Sequence, residues 1–392
     1  VSAESLSSDL QQSLTLLRRQ LHAAPELSGC EQHTAATLLA ELQACSPDRL
    51  FTGVGGHGLI ALFDSGRPGP TVLLRADMDA LPISESGSQA HCSRHPGVAH
   101  LCGHDGHSAA LMGVAKLLSA ARTASGQVAL LFQPAEETGS GARAVLDDPA
   151  FAAIRPDRVF AFHNLPGYPL GQVVVRAGSF TAAVQSLIIE LEGCPTHAAE
   201  PEHGRNPAQA IAELLQLAQA LSCNHPERPD FALVTPVYAH LGERAYGTAA
   251  GEGEVHFTLR SWTQQTMSEL ESRLLSQLAA ICERDGLKAR HRWIEAFAAC
   301  DNQADAVALI SKAAAEEGMS CVTRPMPFKW GEDFGLFTQR FPGALFGIGA
   351  GETQPALHNS DYDFPDAILL PAARLLYRLA RSVTDTPNPN MD

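Results

Sequence analysis

The sequence predicts an α/β protein: a mostly parallel sheet with helices on both faces, carrying an inserted ferredoxin-like α+β domain. Three observations predict it. Short, nearly continuous apolar runs (TVLLRA at 71–76, QVALLFQ at 127–133, RVFAF at 158–162, ALFGIG at 344–349) alternate with helical segments, as strands buried on both faces do. Between residues 185 and 297 the order changes to β-α-β-β-α-β. After residue 300 the first texture returns. The chain therefore reads as one domain in two pieces, 1–180 and 298–392, with a second domain, 181–297, inserted between them.

Each element has its own justification. Residues 4–22 set Leu6, Leu10, Leu14, Leu17 and Leu21 at helical spacing, and 31–45 is a second helix rich in Ala and Leu. Strands follow at 57–64 and 71–76. Ser108–Ala121 is a helix of small and aliphatic residues. After it come the strand Gln127–Gln133, a Gly-rich loop, a helix near 141–148 and the strand Arg158–Phe162. In the insert, Gln185–Leu191 alternates like a half-exposed strand and Pro207–Leu221 is an amphipathic helix. Strands at 231–241 and 254–262, a helix at 267–285 and a strand at 288–297 complete it. The last piece holds a helix at 303–317, a helix starting at Asp333, the strand Ala344–Gly349 and a helix at 366–383. There is no internal repeat, and the tail TDTPNPNMD is expected to be disordered.

Composition narrows the function classes. The 392 residues carry a net charge of -15, which argues against nonspecific binding to nucleic acid or anionic membranes. No apolar run reaches the ~18 residues that span a bilayer. The opening VSAESLSSDLQQSL has neither the basic nor the apolar region of a signal peptide. The nine cysteines form no CxxC pair and no dense framework, which points to a reducing, cytoplasmic compartment.

The segment HLCGHDGH, His100–His107, concentrates Cys102, His104, Asp105 and His107, all side chains that ligate or support a transition metal. A Cys-x-His pair alone is a weak signal. It gains weight from residues placed after successive predicted strands: Asp77 and Asp79, Glu136 and Glu137, His163, and His358. In an open parallel sheet, ligands bind outside the carboxyl ends of the strands, so residues distant in sequence converge on one edge. Bland readings compete with this. Paired Glu in a loop are usually solvated, a lone His is usually a satisfied core or surface residue, a Cys is usually a small buried hydrophobe, and Asp77 and Asp79 could cap a turn. The joint placement outweighs them. His22, His57, His91, His95, His225, His240 and His291 keep the bland reading.

Cys102, His104, Glu137, His163 and His358 make five donors, whereas a structural zinc site closes at four. Five donors, one of them a carboxylate able to bridge, suit two metals sharing a site. Such a pair, about 3.5–4 Å apart, activates water and polarises a carbonyl. Glu136 is then free to move a proton from water to a leaving amine. Cysteine and imidazole favour zinc, nickel or cobalt, and the carboxylates also admit manganese.

Eight segments then carry a resemblance. They are LRRQLHAAPELSGCE (17–31), LLRADMDALPISE (73–85), HLCGHDGHSAALMGVAKLL (100–118), LLFQPAEETGSGARAVLDD (130–148), FAFHNLPGYPLG (160–171), THAAEPEHGRNPAQAI (196–211), GEDFGLF (331–337) and ALHNSDYDF (356–364). In this order they resemble the co-catalytic metal aminoacylase/carboxypeptidase family, in the branch of hippurate hydrolases, N-acyl-amino-acid amidohydrolases and auxin-conjugate hydrolases. The resemblance implies two divalent metal ions held by Cys102, His104, Glu137, His163 and His358. It implies Glu136 as general base and acid, Asp79 as the supporting acid, and His197 as the group that steadies the oxyanion, often in a partner subunit's site. It also implies that the insert is a lid and dimerisation domain, giving a homodimer or higher homo-oligomer.

One departure stands out. Relatives carry a segment close to GTAxNVIP, whose Asn helps bind the substrate carboxylate. Here the chain reads RAYGTAAGEGEVHFTLRSW (244–262), without the Asn or the Val-Ile-Pro, although Arg260 resembles the Arg that follows. The expected activity is hydrolysis of a small amide, foremost an N-acyl amino acid, with an unusual acceptor side. A dipeptidase or carboxypeptidase of the same fold is the second reading. A non-catalytic metal-binding regulator is the third, disfavoured by the intact ligand set and Glu136.

Overall fold

A computed structural model describes residues 3–385. The expected disorder of the tail therefore falls, from residue 386 on, outside the described residues. The chain divides into two compact units. The first comprises the chain up to Phe180, Cys300–Pro325 and the described chain from Asp333 onward. The second comprises Thr181–Ala299 and Met326–Glu332.

In the first unit the strands are β1 (Arg49–Val54), β2 (Gly58–Asp64), β3 (Thr71–Asp77), β4 (Gln127–Gln133), β5 (Arg158–Pro166) and β6 (Val173–Val175). In the second unit they are β7 (Ala183–Glu192), β8 (Ala232–Leu241), β9 (Glu252–Ser261) and β10 (Lys288–Phe297). Back in the first unit come β11 (Cys321–Thr323) and β12 (Gly343–Gly351). The longer helices are α1 (Ala3–Ala23), α2 (Gln32–Ala44), α3 (His104–Ala120), α4 (Ala208–Leu221), α5 (Gln264–Asp285), α6 (Ala304–Glu316) and α7 (Leu369–Thr384).

The large sheet runs β1-β2-β4-β3-β5-β12-β6-β11. Its centre, β4-β3-β5-β12, is parallel, and the β6-β11 pair is parallel as well. The pairs β1-β2, β2-β4 and β12-β6 are antiparallel. β1 was not expected from the sequence: RLFTGV mixes charge and Gly into a strand that is half exposed. Along the central strands, Val72, Leu74, Leu130, Phe132 and Phe160 join a core with Leu14, Leu111, Val114, Leu375 and Leu376 from α1, α3 and α7. The alternate residues Leu73, Ala129, Leu131, Val159 and Ala161 are fully buried too. Burial on both faces explains why these strands are apolar throughout rather than alternating.

The second unit has the antiparallel order β8-β9-β7-β10, with α4 and α5 between strands as the ferredoxin-like pattern requires. Leu187, Ile189, Val255 and Phe257 pack with Leu214, Leu270 and Leu274 from the two helices. Met326–Glu332 also belongs to this unit, although the sequence reading assigned it to the other. The reason is backbone pairing: Thr181 bridges Phe328, and the Ala182 N–H lies within hydrogen-bonding distance of the Phe328 and Trp330 carbonyls, at 3.0 and 3.2 Å. The helix expected from Asp333 is only one turn, Gly335–Thr338. Among the described residues no helix is long and apolar enough to cross a membrane.

Candidate metal centre

The carboxyl ends of β3, β4 and β5 deliver the residues singled out from the sequence. β3 ends at Asp77 and β4 at Gln133, and the parallel register sets these two side by side. Beyond them, the loops supply Asp79, Glu136 and Glu137. The sequence places His163 just after the strand RVFAF, at its end or in the following loop; the strand instead runs on past it. β5 continues to Pro166 and carries His163 inside it, beside Gly347 of β12. His358 lies past the end of β12, tied by its N–H to the Leu101 carbonyl at 2.8 Å.

The HLCGHDGH segment runs into a helix. α3 starts at His104, four residues before the expected Ser108. Gly103 caps it at φ +95°, in the left-handed region that favours glycine, and a Cβ there would lie 2.6 Å from the Asn164 side chain. The turn at Gly103 therefore separates Cys102 from His104 in the chain while their donor atoms stay within 4.8 Å of each other.

Donor atoms cluster in groups that share members. Cys102, His104 and His163 form one, Cys102, Glu137 and His358 a second, and His104, Glu136 and Glu137 a third, with the atoms of each group within 4.8 Å of one another. Cys102 Sγ is 3.6 Å from His163 Nε2. His104 Nε2 is 3.7 Å from Glu137 Oε1 and 3.9 Å from Glu136 Oε2. His358 Nε2 is 3.9 Å from Glu137 Oε2. Glu137 thus faces His104 with one oxygen and His358 with the other. His104 Nε2 and Glu137 Oε1 are buried without a hydrogen-bond partner. A thiol, three imidazoles and a carboxylate, with buried orphan atoms facing each other, fit a borderline-soft divalent cation.

The supporting contacts orient these donors. His104 Nδ1 lies 3.0 Å from the Asp79 carbonyl, which accepts its proton and leaves Nε2 as the donor toward the cluster. The Asp79 carboxylate accepts from Ser28 Oγ at 2.6 Å and from the Glu137 N–H at 3.0 Å. His163 Nδ1 meets the Asn164 carbonyl at 2.8 Å, again leaving Nε2 for the cluster. Burial pushes the Cys102 thiol well up, with Glu137 adding to it, and pushes Glu137 up to about 7. Burial, with His107 nearby, holds His163 well down, in its neutral, ligand-competent form.

Several residues were missed in the sequence. Arg75, 2% exposed in the middle of TVLLRAD, donates to Asp77 at 2.6 Å, Gln133 at 2.9 Å and Asp333 at 2.8 Å. Asp333 in turn offers its N–H to Glu136 Oε1 at 3.4 Å. His107, marked by the sequence only as able to ligate or support a metal, is wedged between Asp77 Oδ1 at 2.6 Å and Asn164 Oδ1 at 2.5 Å. The available signal was a charged residue inside an otherwise apolar strand.

Two of the expected site residues lie in the second unit. His197 is exposed on the short strand Thr196–His197, which pairs with Thr248–Ala249, and its Nδ1 accepts the Ala199 N–H. Arg260, on β9, donates from Nη1 to the Lys329 carbonyl at 2.6 Å.

Residues 73–382 match the family model described as Peptidase family M20/M25/M40. The chain belongs to this family. It is 31% identical over 384 residues to an N-acetyl-L-cysteine deacetylase of Bacillus subtilis, covering 97% of this chain and 90% of the relative. It is 29% identical to a hippurate hydrolase of Campylobacter jejuni, over 95% of this chain and 97% of the relative. Among solved structures, the Bacillus subtilis YXEP protein, described as a dinuclear metal binding peptidase from the M20 family, superposes with a TM-score of 0.83. Identity to it is 26%, over 97% of this chain and 99% of that one. As an M20 member the chain is a metal-dependent hydrolase of amide bonds.

Proposed function

We propose that the chain hydrolyses N-acyl amino acids or closely related amides at a two-metal centre built from Cys102, His104, Glu137, His163 and His358. One observation carries this reading: three donor groups share Cys102, His104 and Glu137, so a single carboxylate faces two sets of ligands. Divalent ions bound there would polarise the scissile carbonyl and acidify water. The chain's own residues do the rest. Glu136, 5% exposed and 3.9 Å from His104 Nε2, takes the proton from the attacking water and passes it to the leaving nitrogen. Asp79 fixes the His104 ring and the backbone of Glu137 together. His197 donates to the developing oxyanion.

The relatives' names support an N-acyl amino acid as substrate, since N-acetyl-L-cysteine and hippurate are both of that class. On the acceptor side, the Asn-Val-Ile-Pro run is missing and Arg260 already spends one N–H on the Lys329 carbonyl. We propose that recognition of a free carboxylate is correspondingly weak. N-acyl amino acids and their carboxyl-amidated analogues should then be cleaved within about tenfold of each other, a gap of roughly 1.4 kcal/mol. A preference of several hundredfold for the free acid would contradict this.

A homodimer through the second unit is the assembly we favour. β8 is an edge strand that exposes Val237, Tyr238 and Leu241, a surface suited to pairing with a second copy. Light scattering on the purified protein tests it. All nine cysteines are free, which suits a reducing, cytoplasmic compartment.

The deciding experiment strips the protein with a chelator and reloads it with zinc, manganese, nickel or cobalt. Metal content and hydrolysis of a panel of acyl amino acids and dipeptides are then measured. Two ions per chain and turnover of the acyl amino acids are expected. Preferred cleavage of dipeptides would favour the peptidase reading, and no stoichiometric metal would favour a non-catalytic one.

A further inference from the structure

The segment PELSGCE, Pro25–Glu31, has no part in the chemistry above, yet it binds the backbone just before Glu136 directly and reaches the backbone just after it through Asp79. Glu31 is completely buried. Its Oε1 accepts the N–H of Gly29 at 2.9 Å and the N–H of Ala135 at 2.8 Å, while Oε2 is buried without a partner. Ala135 has φ +53°, a left-handed conformation that a residue with a Cβ adopts only at a cost. That conformation turns the chain immediately before Glu136 and Glu137. The turn is closed from the other side as well: Gly141 donates to the Ala135 carbonyl at 2.9 Å and Gly139 to the Glu136 carbonyl at 2.7 Å.

The same segment reaches the second anchor of the pair. Ser28 donates to the Asp79 carboxylate, which accepts the Glu137 N–H. Leu27 bridges Ala80, the Ala80 N–H donates to the Glu26 carbonyl, and the Glu26 carboxylate accepts from His33 and Thr34 at the start of α2. The loop is therefore fixed at several points before it meets Ala135.

We propose that Glu31 is a positioning residue for the Glu136–Glu137 pair. Its carboxylate oxygen holds the left-handed turn at Ala135 and so sets the angle between the proton-shuttling and metal-facing carboxylates. Its assigned purpose rests on the roles given above to Glu136 and Glu137. The requirement is for a hydrogen-bond acceptor rather than a charge, because one oxygen makes both contacts. Glutamine satisfies it, since its amide nitrogen would occupy the unpartnered Oε2 position.

The test compares Glu31→Ala, Glu31→Gln and the double variant Glu31→Ala/Ala135→Gly. Zinc affinity is measured by chelator competition, kcat and KM on an N-acyl amino acid, and folding by thermal unfolding. Expected for Glu31→Ala are zinc binding weakened at least about tenfold and kcat lowered about a hundredfold, with KM changed far less. Glu31→Gln stays within about threefold of the wild type on both readouts. The double variant regains most of the loss, because glycine takes a positive φ without steric cost. Glu31→Ala indistinguishable from wild type, Glu31→Gln as defective as Glu31→Ala, or no recovery in the double variant would each overturn the proposal. Should Glu31→Ala not fold, a folded double variant with a normal Glu31→Gln supports it, and an unfolded double variant overturns it. If the wild type cleaves no acyl amino acid, the catalytic reading fails on its own, while zinc affinity still judges Glu31.

Discussion

At the scale of single residues, His104 is aimed before any ion is considered. Its Nδ1 is committed to the Asp79 carbonyl, and the left-handed Gly103 fixes where its helix begins. Replacing Gly103 with alanine forces a Cβ to within 2.6 Å of Asn164 at a φ that alanine resists. Gly103→Ala should cost about 1–3 kcal/mol of stability and weaken metal binding, read by denaturant unfolding and metal titration. Unchanged values on both would mean that the turn is not needed in this form. The ligand types themselves were legible in the sequence, because Cys, His and Glu announce their chemistry. Their aim was not. The acceptor for His104 is a backbone carbonyl from Asp79, twenty-five positions earlier in the chain, and no residue type encodes that.

At the scale of elements, buried charge joins the strand ends and helices. Arg75 of β3 binds Asp77 and Asp333, all three essentially inaccessible to water. Removing one partner of such a group leaves an unpaired buried charge, so Arg75→Ala should cost about 3–5 kcal/mol, measurable by chemical denaturation. A loss below 1 kcal/mol would show that the network is dispensable. A second network ties α1 to α3. His22 lies 2.8 Å from Asp105 and 3.1 Å from Glu85, and Arg18 reaches Asp105 and Asp363.

Burial works against charge on His22, but Asp105, with Glu85, raises its pKa to about 9. A raised histidine pKa contributes stability fully below its unfolded value near 6.5 and loses it as pH climbs through about 9. The advantage of wild type over His22→Gln should therefore be constant below pH about 6.5 and shrink toward pH about 9, by at most about 3 kcal/mol. A difference flat across that window would contradict the assignment. His22 was read from sequence as an ordinary histidine because its partners lie 63 and 83 positions away. The strands fared better. TVLLRA and QVALLFQ declare two-sided burial locally, whereas the mixed pattern of RLFTGV hides β1.

At the scale of the whole molecule, the two units divide the work. The first holds every proposed metal ligand and Glu136, and the second holds His197 and Arg260. Metal binding should therefore act on the first unit. At about a thousand times its Kd, a bound ion stabilises the fold that holds it by about 4 kcal/mol. Chelation should lower the unfolding midpoint and abolish turnover, and reloading should restore both. Glu137→Gln should lose most of that metal-linked shift, and a full shift in that variant would remove Glu137 from the ligand set. The order of elements in the inserted unit was legible because each strand and helix carries its own period. The return of Met326–Glu332 to it was not, because that pairing is made by backbone groups.

In the proposed mechanism Glu136 moves the proton while its neighbour Glu137 holds metal. The most direct measurement is metal content and single-turnover kinetics of Glu136→Gln on an N-acyl amino acid. A full complement of two ions per chain and a fall in rate of roughly 10²–10⁴-fold are expected. Turnover within tenfold of wild type, or loss of metal from the variant, would contradict that mechanism.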